Sequence, residues 1–513
     1  MRRLLLALAI LASCTTAPTA SPAPTATPDA VTRGGQLRVA QALDVTTLDP
    51  WTASDPDTLE ALSQVYEPLA RLDPVSLRPV PLLATKWTAS SDARIWTFTL
   101  RSGVKFHDGT PLDAAAVAYD FERARDFLRL GLGPLIDSVT ASDPSTVVFT
   151  LKTGYAALPA TLASTSFGLV SPACVKAGPA WATPATRCAA GTGPFRVEPG
   201  AWKTGDRLVL TRNASYWGTD ADGRRLPFLD SVAFIAVRDE NARVGGLHAA
   251  QVEVALDLGP ATARALRADP NLAAQRRPYY PTVFVGITPG PGPFAAAEVR
   301  RAAAMAVDRD GLARSVYSGE ARAAAQLVPP GLLGHDDTVT QFAPGDAAAA
   351  KKLLADAGFA SGVNADLWYS PDASDALPDP KRVAEAVAAD LARGGITVNV
   401  RTEDAALFIA DAKGGRLTLW IEARAPERAD PDDFLADATT NTVALELLRR
   451  ARAEIDESKR AELYKQAAKL IQQDVSRIPL LHTGAPLGLT RRVHGLTASA
   501  VGGESLATVW MGQ

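Results

Sequence analysis

Apolar and polar residues alternate along two short stretches of the chain, Leu37–Ala40 and Trp96–Leu100. An alternation with a period of two is typical of a strand that is buried on one face. A third alternation covers 396–400 and directly follows two glycines, which are common where one element ends and another begins. These three stretches therefore predict strands in widely separated parts of the chain.

Apolar residues recur with a helical period in other stretches. Val383, Val387 and Leu391 fall at i, i+4 and i+8, on one face of a predicted helix. A second predicted helix lies between Asp346, which can cap its start, and Gly358, which can end it. Helices that alternate with strands over hundreds of residues indicate layers of the α/β class.

The beginning of the chain follows neither pattern. Met1–Arg3 is basic, residues 4–12 are mostly apolar, and a stretch rich in Pro, Thr, Ala and Ser follows Cys14. The apolar run is shorter than the ~20 residues that span a bilayer. We expect residues 1–13 to be a secretory signal peptide. The sequence Leu-Ala-Ser-Cys resembles a bacterial lipobox, which would make Cys14 the lipidated first residue of a mature chain; an ordinary signal peptide with an incidental cysteine is the alternative.

Size and charge exclude several classes of protein. Removal of residues 1–13 would leave 500 of the 513 residues, enough for two to four domains. The formal net charge of −3 shows no basic excess of the kind that nucleic-acid binding requires. No later stretch approaches ~18 uninterrupted apolar residues, so we expect no membrane span after the signal.

The two remaining cysteines, Cys174 and Cys188, are close in sequence. In an oxidising compartment such a pair is expected to form a disulfide. The bridge would close a ~15-residue loop and stabilise the fold by about 3 kcal/mol in the chain-entropy description.

The common catalytic motifs are missing from the sequence. There is no His-Glu-x-x-His, Gly-x-Ser-x-Gly, phosphate-binding loop or dinucleotide-binding glycine motif. The five histidines are scattered, without metal-ligand spacing. We therefore expect no enzyme activity, no metal and no cofactor.

Eight segments, in order along the chain, are more specific than any periodicity. They are Thr47–Pro50, Val65–Asp73, Leu83–Trp87, Trp96–Leu112, Gly191–Phe195, Asn213–Trp217, Val299–Arg309 and Ala350–Phe359. Together they closely resemble the extracellular solute-binding protein family 5, the peptide-, nickel- and opine-binding lipoproteins of ABC importers. The resemblance runs from about Gly35 to about Gly495.

The resemblance implies an α/β protein of the two-lobed, periplasmic-binding-protein type II-like fold, with a ligand cleft between the lobes. Lobe I would be discontinuous and carry an appended subdomain, and the lobes would close around ligand by a hinge motion. The implied organisation is a lipid-anchored linker at 14–33, lobe I at 34–50, 190–280 and 480–513, the subdomain at 51–189, and lobe II at 281–479.

The resemblance also suggests where ligand would bind. In the peptide binders of the family, an Asp four positions before a Pro pairs with the peptide amine. Counting back from Pro431 places Glu427 at that position and Arg424 at a position usually held by Trp. Glu427 could still pair an amine, and Arg424 suits a carboxylate or phosphate. The alternative is that both belong to a charged loop without ligand contact.

Five further residues are candidates for ligand contact. Thr288 stands where the family commonly has Asn, and Glu67 lies near the family's ligand-facing segment. Trp420, Tyr280 and Tyr66 are candidate cleft aromatics, for which core packing is the alternative. No histidine lies near residues 420–430, which disfavours nickel as the solute.

The sequence thus predicts an extracytoplasmic, lipid-anchored solute-binding protein of an ABC importer, with a peptide or peptide-like molecule as its ligand. Its expected partners are that small-molecule or peptide ligand, the membrane permease with its ATPase, and the membrane itself through Cys14. We expect a monomer that binds no nucleic acid. A ligand sensor for a signalling receptor, or a secreted hydrolase, are the alternatives.

Overall fold

The computed structural model describes six ranges of the chain. These are residues 31–74, 76–123, 131–177, 189–339, 345–426 and 428–512. The predictions for Cys14, Cys188 and Glu427 fall outside the described residues.

The first large sheet has seven strands in the order β12-β19-β11-β1-β10-β9-β8. Its central strand β1 runs parallel to both neighbours, β10 and β11, and the remaining pairs are antiparallel. The strands are β1 (Gln36–Gln41), β8 (Phe195–Lys203), β9 (Arg207–Arg212), β10 (Ser231–Ala236), β11 (Val254–Ala255), β12 (Leu272–Arg276) and β19 (Pro486–Thr490).

The second large sheet has six strands in the order β14-β18-β13-β17-β15-β16. Parallel pairing of β15 with both β16 and β17 makes this sheet mixed. The strands are β13 (Thr282–Ile287), β14 (Arg322–Ala323), β15 (Val363–Tyr369), β16 (Ile396–Thr402), β17 (Leu419–Arg424) and β18 (Arg477–His482).

A four-stranded antiparallel sheet and two two-stranded sheets, β2-β3 and β20-β21, complete the strands of the described residues. The four-stranded sheet has the order β4-β5-β7-β6, and Phe98 on β5 packs edge-on against Phe149 on β7. The strands are β2 (Ala70–Leu72), β3 (Pro79–Pro81), β4 (Ala84–Ala89), β5 (Ile95–Leu100), β6 (Ile136–Asp143), β7 (Thr146–Leu151), β20 (Val493–His494) and β21 (Trp510–Met511).

Most of the longer helices begin at an Asp or Asn whose side chain accepts a hydrogen bond from a backbone N–H of the first turn, which satisfies a donor that the helix leaves unpaired. The helices are α1 (Pro56–Leu62), α2 (Ala114–Arg123), α3 (Leu132–Leu135), α4 (Leu158–Thr161), α5 (Pro172–Lys176), α6 (Glu240–His248), α7 (Pro260–Ala268), α8 (Ala297–Ala306), α9 (Arg309–Ser315), α10 (Ala347–Asp356), α11 (Pro380–Arg393), α12 (Ala405–Lys413), α13 (Asp432–Leu435), α14 (Thr442–Ala453) and α15 (Glu457–Asp474). Two short 3-10 helices cover Thr165–Phe167 and Pro293–Ala295.

The predicted α/β class is confirmed, and so are the local elements on which it was based. Stretches 37–40, 96–100 and 396–400 lie in β1, β5 and β16, and the two predicted helices are α10 and α11. The alternation in β16 did not, however, predict which of its apolar residues are buried. Because β16 is the edge strand of its sheet, Ile396 is buried while Val400 is 36 % exposed.

The chain crosses between the two large sheets at 277–281 and again at 483–485. The crossing segments are hydrogen-bonded to each other: Arg277 N–H donates to Ala485 O at 3.0 Å, Tyr280 N–H to Thr483 O at 3.1 Å, and Thr483 N–H to Pro281 O at 2.9 Å. Strand β18 continues to His482 in the second sheet, three residues beyond the lobe boundary placed at 479. The predicted lobe and subdomain boundaries stay predictions.

Candidate functional site

Two aspartates bind the backbone that directly follows β1, at the carboxyl end of that strand. In open α/β sheets, ligands bind in the crevice outside such strand ends. Asp257 follows β11 and accepts a hydrogen bond from Ala42 N–H at 2.8 Å. Asp57 on α1 accepts one from the next N–H, that of Leu43. We call residues 41–44 the β1 rim.

A third polar group of the β1 rim is buried without a full set of partners. Gln41, the last residue of β1, is 1 % exposed, and its Nε2 donates to Leu43 O at 2.9 Å. Its Oε1 has no hydrogen-bond partner among the described residues. A buried acceptor without a donor is unfavourable, so this oxygen is a place where a ligand donor would be stabilised.

Asp375 brings a carboxylate from the second sheet to the same region. It lies in the segment after β15, and it interacts electrostatically with both Asp57 and Asp257. Burial and the charge of Asp257 raise the pKa of Asp57 to about 8, and partial burial together with the same charge raises that of Asp375, whose side chain is 37 % exposed, to about 6. We call Asp57, Asp257 and Asp375 the acidic cluster; it draws its members from both sides of the crossing.

Arg277, on the first crossing segment, contacts three acids from three parts of the chain. Its Nε and Nη2 donate to Glu504 at 2.6 and 2.8 Å, while Glu60 and Asp375 lie at 3.4 Å from its terminal nitrogens. Burial raises the pKa of Glu60, and its neighbour Glu504 adds to that effect. Although burial acts in the same direction on Glu504, the paired Arg277 lowers the pKa of that carboxyl to about 2. The crossing is thus held by one cation shared among several carboxylates.

Arg424 lies at the end of β17, where its side chain is occupied by acids of the same lobe. Its guanidinium donates to both carboxylate oxygens of Asp437, and to Glu422 at 3.2 Å. Burial disfavours the guanidinium cation, but these partners more than compensate and raise its pKa. Ligand contact by Arg424 stays a prediction, and a ligand anion would compete with Asp437 for this cation.

Trp420 lies on β17, and Thr288 directly follows the neighbouring strand β13. Trp420 is 3 % exposed, its indole N–H donates to Glu422 at 3.2 Å, and the Arg477 guanidinium lies 4.7 Å from its ring centroid. A Cβ atom on Gly286 would lie 2.2 Å from the indole, so the ring needs a glycine opposite it. Thr288 is half-buried, and its N–H donates to Thr418 O at 3.0 Å.

Tyr280, on the first crossing segment, contacts the segment 428–434. Its hydroxyl donates to Arg428 O at 2.6 Å, and its ring packs edge-on against Phe434 at 5.6 Å. The Arg428 guanidinium is paired with Asp433 and donates to the Tyr155 hydroxyl at 2.9 Å. These contacts hold the segment 428–434 beside Tyr280 of the first crossing segment.

Tyr66 and Glu67 are buried. The Tyr66 hydroxyl donates to Leu48 O at 2.7 Å. Glu67 accepts three hydrogen bonds, from Thr192 at 2.8 Å, Tyr216 at 2.7 Å and Trp217 at 2.9 Å. Burial raises the pKa of Glu67 to about 7 despite these donors.

The structure brings some of the candidates together and not others. Arg424, Trp420, Thr288 and Tyr280 are all on or beside β13 and β17, whereas Tyr66 and Glu67 contact other segments. The acidic cluster and Arg277 were not identified from the sequence. One signal was present: an Asp directly after a short apolar strand and before a Gly-Pro helix start describes Asp257.

Two further properties concern the described residues as a whole. Among them, no group of three His, Cys, Asp or Glu side chains is arranged to hold a metal ion. No helix in the same part of the chain has the length and apolar character needed to cross a membrane.

The sequence profile of the bacterial extracellular solute-binding proteins, family 5 (middle region), matches residues 78–445, well over half of the chain. The chain belongs to this family. Family 5 proteins are binding proteins, and the resemblance noted from the eight segments is therefore confirmed.

The chain is similar to other family 5 proteins over nearly its whole length. It is 28 % identical to di/tripeptide-binding protein 1 of Pseudomonas aeruginosa, covering 88 % of this chain and 90 % of that one. It is 29 % identical to heme-binding protein A of Haemophilus influenzae, and the match covers 86 % of this chain and 85 % of that one. The solved structure of HbpA2 from Haemophilus parasuis superimposes with a TM-score of 0.83 at 25 % identity, and the superposition covers 93 % of this chain and 100 % of that one. The two-lobed type II-like fold is thus shared with solved relatives.

Proposed function

We propose that this family 5 protein captures a peptide or peptide-like solute outside the cytoplasm and delivers it to the permease of an ABC importer. The observation that carries this proposal is the crossing at 277–281 and 483–485. Two sheet-centred lobes meet there, and each contributes charged side chains to the same place, as Arg277 and Asp375 show. Such an arrangement suits capture by hinge closure, in which ligand stabilises the closed state by its greater affinity for it.

The relatives support peptides as the ligand class. Besides di/tripeptide-binding protein 1, the chain is similar to the dipeptide-binding protein of Escherichia coli and to di/tripeptide-binding protein 2 of Pseudomonas aeruginosa, at 27 % and 29 % identity. Heme-binding protein A shows that similar chains can be named for a different solute. A peptide offers an amine, amides and a carboxylate, which charged groups such as the acidic cluster and Arg424 can recognise.

Binding experiments test the ligand class directly. Mass spectrometry of solutes released from the purified mature protein, followed by calorimetry with di-, tri- and tetrapeptides and with heme, identifies what is bound. We expect saturable binding of a peptide, and a smaller radius of gyration on its addition. Binding of heme without binding of any peptide would contradict the proposal.

Glu427 is the proposed anchor for the ligand amine. We expect Glu427→Gln to weaken binding of a free peptide but not of its N-acetyl form, because the amide cannot form the charged pair. Unchanged affinity of the free peptide would remove Glu427 from the site.

We also propose that Cys14 carries a lipid and that residues 14–33 connect the anchored terminus to the binding lobes. A binding protein held at the membrane stays close to its permease. In bacteria grown with a labelled fatty acid, we expect the label to be incorporated into the wild-type protein and not into Cys14→Ser, whereas Cys174→Ser should retain it. Release of the wild-type protein without lipid would contradict the anchor.

A further inference from the structure

We propose that the predicted subdomain, residues 51–189, latches onto the predicted lobe II when the two lobes close, through Leu77, Arg78, Tyr155 and Ala156. We call these four residues the latch. The inference rests on capture by hinge closure, as proposed above, and is independent of which solute is bound. It gives the subdomain a role in closure, at contacts separate from the crossing segments.

The subdomain is joined to the first large sheet by a shared hydrophobic core. Phe98 and Phe149 of its four-stranded sheet are buried in the same cluster as Leu37 and Val39 of β1. Helices α14 and α15 belong to a different cluster, which contains Phe284 of β13 in the second large sheet. A rotation about the crossing therefore carries the subdomain with the first sheet and separates it from α14 and α15.

Leu77, in the turn between β2 and β3, is buried in the hydrophobic cluster of α14 and α15. It is 4 % exposed and has a φ of 56°, a left-handed conformation that is unfavourable for a residue with a Cβ atom. Its N–H donates to Asp73 O at 2.9 Å, which closes the turn. The turn thus holds an apolar side chain in a strained conformation, and burial against the other lobe offsets that strain.

A backbone hydrogen bond joins the subdomain to the end of α14. Ala156 N–H donates at 2.6 Å to Arg452 O, one of the last carbonyl oxygens of α14, which have no partner within the helix. A Cβ atom on Gly154 would lie 2.9 Å from that of Ala453, so the two backbones pass closely here. The Arg452 side chain is itself held by Asp432, whose two carboxylate oxygens both lie 2.9 Å from its Nε. The acceptor is therefore fixed by a contact within lobe II.

Two polar side chains complete the latch. The Tyr155 hydroxyl accepts a hydrogen bond from the Arg428 guanidinium at 2.9 Å, and it lies 2.8 Å from Thr161 Oγ1 of its own subdomain. Arg78 forms an ion pair with Glu457 in the first turn of α15. Both side chains of this pair are more than half exposed, so their charges can be exchanged without disturbing a core.

The latch residues come from two separate loops of the subdomain, and their partners belong to lobe II. Separation of the lobes breaks all of these contacts together. The contacts therefore stabilise the closed state relative to the open one, in addition to what a bound solute contributes. A captured solute leaves only after the latch has opened.

Hydrogen exchange, read at single residues in the full-length protein, tests the latch. The variants are Leu77→Gly, which removes the side chain and tolerates the positive φ, Arg78→Glu, and the charge exchange Arg78→Glu/Glu457→Arg. Ala250→Gly, at an exposed residue with a φ of 52°, is the matched control for glycine. Arg449→Glu, which breaks an exposed ion pair within α14, is the matched control for charge.

Two adjacent amides report different events. The Ala156 N–H reports the latch, and the Tyr155 N–H, which donates to Ala93 O at 3.0 Å, reports the integrity of the subdomain. We expect Ala156 to exchange about tenfold faster in Leu77→Gly, because a buried leucine is lost. It should exchange about threefold faster in Arg78→Glu, where like charges face each other. The charge exchange should restore the wild-type rate, both controls should keep it, and Tyr155 should exchange alike in every protein.

A second series adds saturating L-alanyl-L-leucine, with binding measured by calorimetry, and we expect slower exchange of Ala156 because closure forms the latch. An unprotected Ala156 in wild type, rates unaltered by Leu77→Gly or Arg78→Glu, or a charge exchange that restores nothing would overturn the latch. So would faster exchange of Tyr155 together with Ala156, or a bound dipeptide that leaves Ala156 unchanged. If the dipeptide does not bind, the peptide class fails for this probe, and the rates without dipeptide decide the latch.

Discussion

Gly484 lies directly against the backbone of Arg277, where the two crossing segments pass each other. A Cβ atom at position 484 would lie 2.1 Å from the Arg277 carbonyl oxygen and 2.9 Å from that of Pro278. Real Cβ atoms do not approach backbone oxygens so closely, so only glycine lets the crossing segments pair as they do.

Gly484→Ala is therefore expected to separate the crossing segments. The forced shift should lower the free energy of unfolding by about 1–3 kcal/mol, as overpacking does, and weaken ligand binding because Arg277 is displaced from its acids. Chemical denaturation and calorimetry measure the two effects. Gly245→Ala is the control: Gly245 is an exposed residue of α6 with open space around it, and the change should stabilise by roughly 0.5–1 kcal/mol. Equal stability of the two variants would contradict the close contact.

Asp57→Asn is expected to stabilise the ligand-free protein at neutral and alkaline pH. Burial and the charge of Asp257 raise the pKa of Asp57 to about 8 in the folded state. A raised carboxyl pKa means that the folded state holds the proton more tightly than the unfolded state. The site therefore leaves the free energy of unfolding undiminished below pH ~4 and lowers it as the pH rises towards 8. Asn still accepts from Leu43 N–H without a charge, so the gain should reach about 1–3 kcal/mol at pH 8 and vanish near pH 4.

Denaturation of wild type and Asp57→Asn at pH 4, 6 and 8 measures this gain. A difference that does not grow with pH would show that Asp57 is not held among like charges. Asp310→Asn, which replaces an exposed acid, should follow the wild-type curve throughout.

Glu67→Gln tests a second buried carboxyl, far along the chain from its partners Tyr216 and Trp217. Burial raises the pKa of Glu67 to about 7, so the wild-type protein loses stability through this site as the pH rises from about 4.5 to about 7. The loss amounts to about 3 kcal/mol at most. The variant should lack this pH-dependent step.

The expected measurement is a free energy of unfolding that falls less between pH 5 and pH 7.5 in Glu67→Gln than in wild type. At pH 5 the two proteins should be similarly stable, because the protonated Glu67 and the Gln amide each offer one carbonyl oxygen and a donor to Trp217, Tyr216 and Thr192. The exposed Glu385→Gln serves as the matched control and should keep the wild-type pH profile. Parallel profiles of wild type and Glu67→Gln would refute the raised pKa.

Local patterns of sequence predicted the elements of the fold because the forces that shape them are local. The alternation in β5 and the i, i+4 spacing in α11 each follow from which face of one element is buried. The exposure of Val400 did not follow, because the position of β16 at a sheet edge depends on the order of strands from distant parts of the chain.

The candidate site was predictable only in part for the same reason. The loop around Arg424 was found through its resemblance to family motifs. The contact between Arg277 and Asp375 joins residues 98 positions apart, and no spacing rule connects them. Asp57 is preceded by Asp55 and Pro56, a pattern that indicates a helix start. The same pattern gives no sign that the Asp57 carboxylate accepts a hydrogen bond from Leu43 N–H of the β1 rim.

Cys174 and Cys188 are expected to form the disulfide that their spacing indicates. Cys174 is buried at 3 % exposure and is disulfide-bonded in the structure, while Cys188 lies outside the described residues, so the pairing stays a prediction. Denatured, unreduced mature protein should show no free thiol at these positions, and two after reduction. Replacing both by Ser should lower the free energy of unfolding by about 3 kcal/mol, because the unfolded chain regains the freedom of a ~15-residue loop. The control is wild type with reductant, which should unfold like the double variant; two free thiols before reduction would show that the bond does not form.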